Sequence, residues 1–134
     1  MNIVLWILQI LLAVAFLGHS WLMLFPSAEM VELMNASMPP WLRIFIGIVE
    51  VLGAIGLILP GLTRIQPQLT AWAVTGLATI VALATLLHLI RAEYSSAGTT
   101  AVLFVVAAFV AYMRWRVKPI AARQNQQVVD RTAY

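Results

Sequence analysis

The chain's two histidines, His19 and His88, and one of its glutamates, Glu50, stand where ionisable side chains are expensive. Each lies inside, or at the edge of, a long apolar run. A charged side chain at the centre of a membrane helix costs roughly 2.5–3.5 kcal/mol on insertion scales, so such groups are kept where they face protein or water and have work to do. Imidazole and carboxylate can exchange protons, and both can hydrogen-bond the carbonyl or hydroxyl of a lipophilic ligand. Two histidines and a carboxylate also form a donor set for zinc or iron. Here the three come from three separate runs, without a His pair at i and i+4, so the spacing gives a metal site no support.

Plainer roles exist for each residue. Glu50 can be a neutral acid or an ion pair with Arg43. His19 can hydrogen-bond a neighbouring helix. His88 and Arg91 can snorkel into headgroups.

The elements that must position these groups follow from composition. Of 134 residues, 63% are hydrophobic and 10% charged, and mean hydropathy is +0.95. Soluble domains carry about 25% charged residues, and a chain this short cannot bury so much apolar surface in one water-facing core. A single-domain integral membrane protein is expected. The absence of cysteine removes thiolate metal sites, iron–sulfur clusters and cysteine nucleophiles. The net charge of +3 gathers near the C-terminus and reads as a topology signal, not as a nucleic-acid footprint.

Four runs are long enough to span, at about 17–25 residues each. They cover about 2–25, 41–59, 69–90 and 98–115, with prolines at their ends: Pro26, Pro39-Pro40, Pro60 and Pro67. The first has no Lys or Arg before it and exceeds a signal-peptide core of about 7–15 residues, so it reads as a retained span. Between the first two spans, Ser27 as cap and Glu29 in the first turn predict a short interfacial helix. The expectation is an all-α, four-helix transmembrane bundle over 1–115, followed by a basic tail over 116–134.

With four spans, both termini share one side. Arg64, Arg114, Arg116, Lys118, Arg123 and Arg131 fall there; Arg43, Arg91 and three glutamates fall opposite. The positive-inside rule puts both termini in the cytoplasm, and a bacterial-type inner membrane is the expected location. His19, Glu50 and His88 then share the outer half, with Glu50 about 13 Å inward from the start of its span at 1.5 Å per residue. On the second span Arg43, Gly47, Glu50, Gly53 and Ala54 share one side, where small residues mark close helix approach. Thr75, Ala78, Ala82, Thr85 and His88 form a similar stripe on the third. One outward-opening polar pocket is expected, lined by His19, Glu50 and His88, with Arg43 and Arg91 near its mouth.

These residues also carry a resemblance. The stretch from Phe16 to Leu24, with Leu17, His19 and Ser20, is similar to the first-helix ending of the DoxX pattern. Gly47 to Thr63 resembles that family's second-helix signature, and His88 to Glu93 its third-helix ending. The similarity extends to about Trp115. The chain departs at Met23, where the pattern has lysine, and at Ser20, where it has glycine. A role that needs the lysine cation is therefore not carried over.

The resemblance implies a four-helix membrane protein. The family takes its name from a subunit of a thiosulfate:quinone oxidoreductase, and relatives are linked to redox complexes. It therefore implies a redox-associated subunit that binds a quinone or another lipophilic molecule at His19, Glu50 or His88. The sequence has no electron carrier of its own, so a redox enzyme or another membrane subunit would supply one. The alternative is a non-enzymatic assembly factor or accessory subunit of a larger complex, self-association included.

Overall fold

A computed structural model gives the architecture for residues 2–123. The helices are α1 (Asn2–Leu24), α2 (Ala28–Ser37), α3 (Pro40–Thr63), α4 (Gln68–Ile90) and α5 (Tyr94–Tyr112), and α5 runs on into a π-helical turn, Met113–Val117. Among the described residues there is no strand. Among the described residues four helical segments are long and apolar enough to cross a membrane: α1, α3, α4, and α5 with its π-helical turn. In hydrocarbon every backbone N–H and C=O needs an internal partner, which is why such runs fold as helices.

The helices pack in a ring. α1 lies against α3, α3 against α4, α4 against α5, and α5 closes back on α1. On α3 the buried residues are Arg43, Gly47, Glu50, Ala54, Leu57 and Gly61. Their alternating spacing of four and three makes a single seam. Leu5, Gln9, Leu12, Phe16 and Met23 form the answering seam on α1. Leu12, Phe16, Leu57, Val74, Leu77 and Val110 meet in the core. Leu11, Leu52, Leu83 and Val105 point outward, as a lipid-facing surface requires.

Small residues set the approach of α3 to α4. A Cβ added to Gly56 would lie 2.6 Å from the Cβ of Ala73, and one added to Gly53 would lie 2.6 Å from Leu77 Cδ2. Across α4 and α5 the hydroxyls of Thr85 and Thr100 lie 2.8 Å apart. Trp115 Nε1–H donates to Thr75 Oγ1 at 3.0 Å.

The expected short helix between the first two spans is α2. Ser27 caps it, its Oγ accepting from Met30 N–H at 3.4 Å. α2 buries none of its residues and rests against α3.

Two boundaries differ from the sequence expectation. α3 does not stop at Pro60 but continues to Thr63. Proline there removes only the hydrogen bond that the Gly56 carbonyl would accept. The turn beyond it is held from outside: a Cβ on Gly61 would meet Ile120 Cδ1 at 2.8 Å and Trp6 at 3.0 Å. The helix ends instead at Arg64, whose φ of 57° is left-handed. The second difference is α5, which starts at Tyr94 and not at Gly98, because its polar first turn, Tyr94-Ser95-Ser96, gives no hydropathy signal.

Candidate functional site

The α1–α3 seam brings His19 and Glu50 together. His19 Nδ1 is 2.8 Å from Glu50 Oε2 and 3.0 Å from Oε1. Glu50 sits on the seam because the spacing of α3 puts it there, one turn from Gly47. A Cβ at Gly47 would come within 2.8 Å of Leu24 and 3.1 Å of Met23, so the missing side chain lets the end of α1 close on α3. His19 neighbours the buried Ser20 but lies at the edge of its helix face.

The two side chains differ sharply in exposure. That of Glu50 is 4% exposed and that of His19 49%. Among the described residues His19 makes its hydrogen bonds through Nδ1 alone. A carboxylate has only acceptor oxygens. With Glu50 ionised, Nδ1 therefore carries the hydrogen and donates, and Nε2 is left as an acceptor. With imidazole protonated, Nε2–H becomes a donor. The pair is a buried carboxylate coupled to an imidazole that reaches the surface of the bundle.

The other sequence candidates are held by other groups. His88 Nδ1 lies 2.5 Å from Glu93 Oε2. Ala92, at φ 58°, turns the chain so that Glu93 N–H donates to the His88 carbonyl at 2.8 Å. Arg91 Nη2 donates to the Ser37 carbonyl at 2.7 Å, tying the end of α4 to the end of α2. Arg43 is buried and donates from Nη1 to the Met23 carbonyl at the end of α1, an interaction with the negative end of a helix dipole. Of the five residues, His19 and Glu50 are in direct contact, and His88, Arg43 and Arg91 each bind a different partner. Among the described residues no group of three or more His, Cys, Asp or Glu side chains is placed to hold a metal.

A second polar centre occupies the opposite end of the bundle, about 15 Å along α1 from His19 at 1.5 Å per residue. Gln9, fully buried, donates from Nε2 to the Leu57 carbonyl at 2.7 Å. Its Oε1 accepts from Arg114 Nε–H at 2.6 Å. Arg114 Nη1 also donates to Asn2 Oδ1 at 2.9 Å and to the Lys118 carbonyl at 3.1 Å. Its guanidinium lies 5.7 Å from the centre of the Trp6 ring, within reach of a cation–π contact. Charge counting treats Arg114 as a topology signal and does not find this centre. The available clue was Gln9, a polar amide inside the first apolar run.

The family model described as the DoxX-like family matches residues 7–110, which include His19, Glu50 and His88. Comparison with curated proteins gives no match, and comparison with solved structures gives none. Four apolar helices in a ring, Glu50 on the seam of the second, and a family match over most of the length lead to one conclusion: the chain is an integral membrane protein that belongs to the DoxX-like family.

Proposed function

We propose that this protein is a redox-associated membrane subunit that binds a quinone at the His19–Glu50 pair. The observation that carries the reading is the asymmetry of that pair: a buried carboxylate, and an imidazole half-open to the surroundings of the bundle with Nε2 unengaged. A ligand dissolved in the bilayer can reach such an imidazole sideways. The donor set fits a quinone, whose ring oxygens need one donor when oxidised and one acceptor when reduced. Imidazole offers either, according to its protonation.

The quinone, when bound, supplies the electron chemistry. His19 orients a ring oxygen through Nε2 and takes or gives its proton there. Glu50 fixes the imidazole through Nδ1 and balances the charge of the imidazolium. Burial of Glu50 against α1 keeps bulk water from competing for it. The chain has no electron carrier of its own, so a partner redox protein would exchange the electrons.

The bias of Lys and Arg toward the end that carries both termini supports a cytoplasmic location for that end, and a bacterial-type inner membrane is the proposed setting. His19 and Glu50 then serve the outer half. The basic tail over 116–134 falls partly outside the described residues; it suits contact with the cytoplasmic leaflet or a partner subunit.

The test is native purification in mild detergent followed by extraction and mass spectrometry. A quinone near one equivalent per chain is expected. A stable protein partner without any quinone would favour the assembly or accessory role instead.

A further inference from the structure

We propose that the end of the bundle carrying both termini has a built site for an anionic phosphate group, centred on Arg114 and Thr70. The site is separate from the His19–Glu50 pair and does not depend on how that pair is read.

Arg114 is 3% exposed. A guanidinium has five N–H donors. Arg114 uses three, on Gln9, Asn2 and the Lys118 carbonyl. Its Nη2 is buried and makes no hydrogen bond. The three partners are neutral amide oxygens, and among the described residues no carboxylate pairs with Arg114. A buried cation without an anion is an unstable arrangement. Thr70 repeats the pattern: it is fully buried and its Oγ1 has no partner.

Both residues line one cavity of about 260 Å³ between the start of α4, the π-helical turn and Pro119-Ile120. Trp115 forms one wall and is fixed there by its bond to Thr75. The π-helical turn is itself part of the device, since π-turns occur often at functional sites. An oxyanion admitted between these lining residues would supply the partner that the buried Arg114 Nη2 and Thr70 Oγ1 both lack. The cavity lies at the ends of the spans, the level of lipid phosphates, and basic pockets between helices at this level take lipid headgroups. A larger neighbouring cavity, about 1010 Å³, shares Pro67, Gln68, Pro119 and Ile120 and is bordered by Arg64, Arg123, Leu69 and Trp72. Arg123 offers further positive charge there, and Leu69 and Trp72 an apolar wall for the rest of a phospholipid.

The phosphate can come from a lipid headgroup or from a free phosphate, and titration separates the two. The full chain in neutral detergent is unfolded thermally against increasing phosphatidylglycerol, against inorganic phosphate, and against sodium chloride of equal ionic strength. A saturable rise in melting temperature with phosphatidylglycerol identifies a lipid site; a rise with inorganic phosphate alone identifies a site for free phosphate. Thr70→Val is the decisive variant. It replaces an unpaired hydroxyl with a methyl of the same shape, so without ligand it should melt at or above the wild-type temperature. Its apparent affinity for the phosphate should fall at least fivefold. Arg114→Gln should abolish the rise. The proposal is overturned if neither phosphate source gives a saturable rise beyond the salt control, or if Thr70→Val and wild type respond alike.

Discussion

Glu50 on α3 meets His19 on α1 through both carboxylate oxygens, at 2.8 and 3.0 Å from Nδ1, while the His19 side chain stays half-exposed. This one contact joins the buried seam of the bundle to its outer surface. On the proposed reading, His19 is the residue through which a ligand in the membrane reaches Glu50.

Helix approach at Gly56 should be far less tolerant than at Gly76. Gly56→Ala puts a methyl 2.6 Å from the Ala73 Cβ, which no rotamer change can move. α3 and α4 must separate, at a cost of about 1–3 kcal/mol. A Cβ at Gly76 meets nothing within 4 Å, so Gly76→Ala should leave stability unchanged or slightly raised. Equilibrium unfolding in mixed micelles measures both, and equal losses would count against the close α3–α4 contact.

Gln9→Leu should be among the most damaging single changes in α1. It orphans one donor of buried Arg114 and removes the cross-helix bond to the Leu57 carbonyl, which keeps its helical bond from Gly61 N–H. Leaving one buried donor unpaired costs about 1–3 kcal/mol, with the lost cross-helix bond in addition. Gln9→Glu restores the contact with Arg114 but not the one with Leu57, so it should recover part of the loss. The same unfolding assay ranks the three proteins. Full stability of Gln9→Leu would mean that the amide does not join α1, α3 and the π-helical turn.

Much of this arrangement is legible in the sequence, and the exceptions have physical reasons. The four spans and the inward face of α3 follow from long apolar runs and the spacing of Gly47, Glu50 and Gly53. Contact between His19 and Glu50 was suggested by shared depth. The partner of His88 was not legible, because Glu93 reaches it through a left-handed residue at Ala92 that no periodicity announces. Arg114 was hidden for another reason. A basic residue at the end of a span normally faces headgroups, and only the π-helical turn directs this one inward.

Ala92 gives a prediction of its own. An L-residue at φ 58° bears a steric penalty of about 1–2 kcal/mol that glycine avoids. Ala92→Gly should therefore raise stability by up to about 1 kcal/mol, after the entropy of the freer unfolded chain is subtracted. A fall in unfolding midpoint would show that the turn between α4 and α5 adopts another conformation.

Arg91→Ala should loosen α2 without weakening the bundle. Arg91 holds the last carbonyl of α2 through an exposed hydrogen bond at 2.7 Å, and α2 has no buried residue of its own. Amide hydrogen exchange should quicken at Ala28–Ser37 by roughly three- to tenfold, the equivalent of about 0.7–1.4 kcal/mol. Exchange in α1 and α3 should not change. Uniform acceleration across the chain would contradict this division.

The most direct test of the central claim is quinone binding by His19→Asn. Asparagine keeps an N–H near the position of Nδ1, so it can still donate to Glu50, but it has nothing in place of Nε2. The purified wild type and variant are titrated with a short-chain quinone in detergent, with thermal unfolding recorded in parallel. If Nε2 holds the quinone, the variant should keep its stability within about 1 kcal/mol and lose at least tenfold in affinity, about 1.4 kcal/mol. Saturable binding of equal affinity by both proteins, or none by the wild type, would contradict the assignment of His19 and Glu50 as the quinone site.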